Sequence, residues 1–312
     1  MNDYTRKPSI REKIKEGMFM KIDMHVHVTP KEISQSALKI GEKEPYFDLL
    51  SRTPKNKFAT AEEIVEEMKK VGIDRSVIFG FSFSDMGLCQ YVNDYVIEKV
   101  KVYPNELIGF MSVVPNHPNT PYEIERCYKQ GLRGIGELFP AGQPFEISQI
   151  NDTAALAECC QFYNLPVIVH MNEPVGHYYT GKTNTTLKEI ECFVEHHPEL
   201  KIILAHFGGG IFMYEMMKEV KERFKNVYYD NAASIFLYNE SIYRVMREIG
   251  VLDKLLFGSD YPLLSPSRYK KSIGESGLTE DEKAKFYGGN AIKLLNLDGQ
   301  KLDDSLNKAI HL

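Results

Sequence analysis

Between residues 18 and 297 the chain alternates eight times between a short apolar run, bounded by Gly, Pro, Asn or Asp, and a longer segment with apolar residues three or four apart. The short runs are MKIDMHVHV, SVIFGFS, LIGFMSVVP, LRGIGELF, PVIVHMNE, KIILAHFGG, VYYDNAAS and KLLFGSDYP, which read as strands. The stretches between them, such as 60–72, 186–199 and 212–225, read as amphipathic helices, several of them closed by Gly or Asn. Near-continuous apolar strands need cover on both faces, which predicts a parallel sheet with helices outside it. Eight such units in about 280 residues match the size of a closed (β/α)8 TIM barrel. A doubly wound open sheet would normally carry a Gly-rich phosphate turn after its first strand, and here that turn reads HVHVTPKEI. The expected organisation is therefore α/β: an N-terminal extension over 1–17, one barrel over 18–297, and a tail over 298–312.

Composition narrows the partners. A formal net charge of -5 gives no basic footprint for nucleic acid, so the expected ligand is a small molecule. No run of 18 apolar residues occurs, and the opening MNDYTRKPSIREKIKEG is charged throughout, which predicts neither a membrane span nor a secretory leader and implies a cytoplasmic protein. The five cysteines, Cys89, Cys127, Cys159, Cys160 and Cys192, are odd in number and lack C-x-x-C spacing, so reduced thiols are expected, four of them packed in helices.

In a barrel of this kind the active site is built from the C-terminal ends of the strands. His25 and His27 end strand one, Glu137 strand four, His170 strand five, His206 strand six and Asp260 strand eight. Side chains alternate along a strand, so the gap of one residue in His25-Val26-His27 turns both imidazoles to one face, where a single metal could bind both. Three imidazoles and a carboxylate suit zinc best and would also take iron, manganese or cobalt. Any one of these residues alone would more often be structural; the joint pattern carries the expectation. His196 and His197, before a proline, are read as surface or capping residues, as is His311 in the tail, while His117 and His177 stay open.

IDMHVHV, VIVHMNEP, LAHFGGG and LFGSDYP, in this order and at these separations, resemble the metal-dependent amidohydrolase superfamily, in the branch that includes amino-carboxymuconate-semialdehyde decarboxylase. The resemblance spans about 18–297 and implies an amidohydrolase-like barrel with His25, His27, His170 and Asp260 as metal ligands and His206 beside the metal-bound water or the substrate. On this footing Asp260 and His206 are the expected catalytic pair. Parts of the superfamily bridge two metals with a strand-four carboxylate, so Glu137 is expected to touch the metal, with one or two ions bound. Arg133, two residues before Ile135, is expected to pair with Asp23 at the barrel bottom.

The polar loop MNEPVGHYYTGK, 171–182, offers Glu173, His177 and Tyr179 as candidate substrate-binding residues, and YYDNAAS adds Asn231 beside Asp230 and Ser234. The long segment between Thr29 and Thr60 is expected to form a lid, with Tyr46 and Phe47 preceding Arg52, Lys55 and Lys57 as sources of a cation for a carboxylated substrate. The preferred function is hydrolysis of an amide, lactone or related ester bond by metal-activated water. The alternatives are nonoxidative decarboxylation or hydration of a small carboxylic acid, and a barrel that binds a small molecule without turnover. A symmetric homodimer is the expected assembly.

Overall fold

A computed structural model describes residues 19–53 and 58–297. The eight expected strands all form: β1 Ile22–His27, β2 Arg75–Phe79, β3 Leu107–Gly109, β4 Ile135–Leu138, β5 Val167–Val169, β6 Ile202–Leu204, β7 Val227–Asp230 and β8 Leu255–Leu256. They pair in parallel and in chain order, as β1-β2-β3 and as β4-β5-β6-β7-β8. Isolated bridges join the two sheets, Met111 to Ile135 on one side and Val26 to Tyr261 on the other. Backbone bonds from Met24 to Phe257 and from His27 to Tyr261, each 2.8 Å, tie β1 to the chain that follows β8. The result is the (β/α)8 barrel that the alternation predicts.

Two apolar layers hold it. Inside, Ile22, Met24, Val77, Phe79, Ile108, Phe110, Ile168, Ile203 and Leu256 fill the bottom, closed from below by Ala291, Ile292 and Leu294 of the last helix. Outside, Ile135, Val167, Val169, Ile202 and Leu204 pack in the larger cluster shared with the helices. Successive side chains thus face opposite ways, as a pleated strand requires. Two irregularities interrupt this order. Between Asp23 and Val26 the register of β1 shifts, so Met24 lies with the inner core while His25 and His27 both reach the site above it. Between Ile135 and Leu138 the register of β4 shifts, which leaves Ile135 and Leu138 in the outer layer and carries Glu137 to the histidines. Glu137 and Ile135 therefore do not share a face, contrary to simple alternation. A bulge re-aims a side chain in this way, often beside a functional site.

Helix Ala61–Val71 shows how the outer layer forms. Ala61, Ile64, Val65 and Met68 are buried at helical spacing, and Thr60 with Glu63 forms a reciprocal capping box that is worth about 1 kcal/mol. Thr186 and Glu189 repeat the device on helix Leu187–His196. The segment 212–225, expected as one helix, is broken at Met217, where the backbone is extended. The break lets Glu215 drop into the core to accept from the Tyr229 hydroxyl and the Lys254 ammonium, each at 2.6 Å.

All five cysteines lie in helices as free thiols, and burial pushes the Cys89 thiol up to about 12. Arg133 does not pair with Asp23. Its guanidinium donates to the carbonyls of Tyr128 and Leu132 and lies over the Tyr128 ring, while Asp23 accepts from the backbone N–H groups of His25 and Ser259. His196 is exposed, but His197 is buried at the end of its helix with its ring 2.8 Å from the Thr153 hydroxyl, and burial lowers its pKa to about 4. It is a core residue rather than a solvated one. His117 lies in a loop, where its ring accepts from the Asn119 backbone. Among the described residues no helix is long and apolar enough to cross a membrane. The extension over 1–17, the tail with His311, and Lys55 and Lys57 lie outside the described residues.

Candidate metal centre

The strand ends bring His25, His27, Glu137, His170, His206 and Asp260 together above the inner core, all of them buried. His25 and His27 face each other with their Nε2 atoms 3.3 Å apart. Asp260 Oδ1 lies 3.5 Å from His27 Nε2 and 3.9 Å from His25 Nε2, so these three residues form one triad of donors. His25, Glu137 and His206 form a second. The Glu137 carboxylate stands between the two halves: Oε2 faces His25 and His27 at 3.9 and 3.8 Å, and Oε1 faces His170 and His206 at 3.1 and 3.7 Å. His170 presents Nδ1 to this group and places Nε2 2.9 Å from the Gly181 carbonyl.

The chain is bent to present these groups. His206 and Asp260 both have left-handed backbones, with φ of 57° and 63°, a conformation that non-glycine residues enter only when the surroundings enforce it. After His206 the left-handed turn runs on through Phe207 to Gly210. At Gly209 (φ +59°) an added Cβ would lie 2.2 Å from the Asn172 carbonyl oxygen, so only glycine lets this turn reach the loop after β5. Gly258 has a similar task, since a Cβ there would meet the His25 and Asp230 side chains at 2.8 and 3.3 Å.

The electrostatics follow from burying so many ionisable groups together. Burial alone would keep His25 neutral, but the charges of Asp230, Glu137 and Asp260 outweigh it and push its pKa up to about 10. Burial likewise opposes charge on His206, yet the hydrogen bond and charge of Glu137 raise its pKa to about 9. Burial would raise Asp260, but its hydrogen bond to His27 and the charge of His25 hold it down at about 2. Glu137 stays well below the usual carboxylate range for the same reason: the charges of His170 and His25 override its burial. The donor set is thus nitrogen and carboxylate oxygen, buried, and rich in negative charge. It fits a divalent cation, which would take the place of the protons on the imidazoles that ligate it.

Above the donors lies a cavity of about 670 Å³, lined among others by Tyr46, Phe47, Phe81, Phe139, Tyr178, Tyr179 and Phe236. Phe81 stacks on His27 with ring centres 4.9 Å apart, and Phe139 lies 4.3 Å from the His170 ring. Of the four candidate substrate residues, His177 and Tyr179 line the cavity. Glu173 does not: its carboxylate accepts from the Tyr179 hydroxyl at 3.0 Å and so fixes that ring. Asn231 lies outside the lining, buried, with its side chain bonded to the Tyr243 hydroxyl and to the backbone N–H of Gly258. The segment expected as a lid reaches the cavity with its aromatic residues and not with Arg52. Helix Pro45–Arg52 covers the cavity with Tyr46, Phe47 and Leu50, but Arg52 is exposed and bonded to Asp48 at 2.6 Å, outside the lining. Among the described residues no Lys or Arg lines the cavity. Phe81 and Phe139, within two residues of the ends of β2 and β4, and Phe236, in the turn after β7, complete the aromatic wall. For the first two, position at a strand end is a signal the sequence carries.

The chain belongs to the amidohydrolase family, whose model matches residues 22–297. It is similar to the 2-amino-3-carboxymuconate-6-semialdehyde decarboxylase of Dictyostelium discoideum, with 23% identity over 90% of this chain and 93% of that protein. Its fold resembles the solved 5-carboxyvanillate decarboxylase of Sphingomonas paucimobilis, with a TM-score of 0.73 and 16% identity over 89% of this chain and 99% of the other. It also resembles a dihydroxybenzoic acid decarboxylase from Polaromonas sp., solved with manganese and the inhibitor 2-nitroresorcinol, with a TM-score of 0.71 and 20% identity over 91% of this chain and 99% of the other.

Proposed function

We propose that the protein is a divalent-metal-dependent decarboxylase of an aromatic carboxylic acid, most simply a benzoate with a hydroxyl next to its carboxylate. The observation that carries this reading is the stacking order of the site: a buried nitrogen and carboxylate cluster at the floor, and a wall of aromatic rings above it. The decarboxylases among its relatives support the reaction class, and they shift the balance from hydrolysis, which sequence motifs alone favour, to carbon-carbon cleavage. Manganese in a structural relative weakens the preference for zinc.

In this reading His25, His27, His170 and Asp260 would hold the cation, with Glu137 at its edge. When bound, a divalent cation would supply Lewis-acid charge to stabilise the anionic substrate. The chain's own residues do the rest. His206 lines the cavity with its Nδ1 bound to the Ala232 carbonyl and its Nε2 on the side of the cluster, so it is the group placed to protonate the ring carbon that bears the carboxylate. A new C–H bond forms there, the bond to the carboxylate breaks, its electron pair restores the aromatic ring, and CO2 leaves. The hydroxyl beside that carbon takes up the positive charge of the protonated ring. Phe81, Phe139 and Tyr46 hold a planar ring and keep water from the cavity.

Hydrolysis is the second reading, favoured by Glu137, whose carboxylate could accept a proton from water between the two halves of the cluster. The test incubates manganese-loaded and zinc-loaded protein with a panel of hydroxylated benzoates and with aromatic lactones, following CO2 release and ring opening. CO2 release that depends on the metal and falls by about 10²- to 10⁴-fold in His206→Asn supports decarboxylation. Lactone opening with no CO2 from any benzoate would overturn it.

A further inference from the structure

Asp230, at the end of β7, is fully buried and belongs to neither triad of donors, yet three bonds converge on it. Its Oδ2 lies 2.9 Å from His25 Nδ1. Its Oδ1 accepts the backbone N–H groups of His206 and Ala232, each at 3.0 Å. The Ala232 carbonyl in turn accepts from His206 Nδ1 at 2.8 Å, which closes a small circuit around the left-handed His206.

We propose that Asp230 is a positioning residue that controls both halves of the site at once: the ring orientation and proton placement of His25, and the backbone conformation that carries His206. A carboxylate can only accept, so the proton it shares with His25 sits on Nδ1, and Nε2 is left to face the other donors. The same carboxylate binds the N–H of His206, stabilising a backbone that a residue with a Cβ otherwise avoids. An outer hydrogen-bond partner of this kind fixes the tautomer of a ligating imidazole and strengthens it as a donor. The inference rests on the metal reading above.

Asp230→Asn tests it with little change in volume. The asparagine oxygen can keep both backbone N–H bonds, but its NH2 then faces His25 Nδ1 and forces the ring proton onto Nε2, pointing it into the donor cluster. Manganese and zinc affinities of wild type and variant are measured by chelator competition, and the unfolding midpoint of each metal-free protein is recorded alongside. The expected result is an affinity about 10- to 100-fold weaker with a midpoint close to wild type. Equal affinity in folded Asp230→Asn would overturn the role. Should the variant not fold, nitrogen NMR of zinc-loaded wild type decides. A protonated Nδ1 and a metal-shifted Nε2 on His25 support the proposal, and the reverse pattern overturns it. Wild type that binds neither cation would overturn the metal reading itself, an outcome distinct from failure of the Asp230 role alone.

Discussion

Along the barrel axis the same strands build two interiors. At the bottom, β1 contributes Ile22 and Met24 to an apolar core; a few residues later it contributes His25 and His27 to a cluster that also holds Glu137, His170, His206 and Asp260. The lower half gains its stability from removing apolar surface from water and from close packing. The upper half buries groups that oppose burial and leaves them dependent on one another and on a cation. The chain changes from one regime to the other through register shifts in β1 and β4, where two neighbouring inward positions become possible. The contrast predicts a division of labour, in which changes in the upper half cost function with little cost in fold and changes in the lower half cost stability with little cost in chemistry.

Removing a group from the upper half gives the largest expected effect. His25→Ala takes a donor from both triads, and its loss of cation affinity should exceed the about 100-fold that outer hydrogen-bond partners typically show. Chelator competition measures it; an affinity near wild type would remove His25 from the site. Next, Ile168→Ala in the lower half should lower stability by about 2–5 kcal/mol in denaturant unfolding. Cation affinity of the folded fraction should stay unchanged. A parallel fall in affinity would mean that the two halves are not separable.

Proton competition sharpens the contrast further. His25 and His206 have native pKa values raised above their ordinary value, to about 10 and about 9. Their contribution to the metal-free protein is therefore fully present below the unfolded pKa of about 6.5 and is lost as pH rises through about 9 to 10. A cation held by His25 would displace its Nε2 proton, so cation affinity should climb with pH toward about 10 while metal-free stability declines. Affinity that is flat with pH would contradict the protonated cluster. Tyr46→Ala in helix Pro45–Arg52 should raise KM more than it lowers kcat, by several-fold, because it removes one wall of the cavity rather than a reacting group. Arg52→Ala should have the smallest effect, within about 0.5 kcal/mol of stability and with KM unchanged, since its exposed ion pair with Asp48 faces away from the cavity.

What could be seen in the primary structure was what repeats or is local. Eight apolar runs predict eight strands; apolar residues three or four apart predict the helices over 60–72 and 186–199; and H-x-H at a strand end predicts two imidazoles on one face. These signals depend on the periods of helix and strand, which neighbouring residues reveal. The strand-end rule then selected all six residues of the cluster, because a closed barrel directs every such position toward one axis.

Other assignments needed the assembled molecule. Asn231 and Asp230 are neighbours in sequence, yet one ties β7 to the chain after β8 and the other holds His25, a residue 205 positions away. Nothing local distinguishes them. His197 resembles a surface residue until helix packing brings it to Thr153, and Arg133 resembles a partner for Asp23 until the barrel seats Asp23 against Ser259. The physical reason is common to all of these. Residue type and period determine which elements form and which face is apolar, whereas hydrogen-bond partners across strands depend on register, and register is decided only when the bulges, the left-handed turns and the whole ring of strands come together.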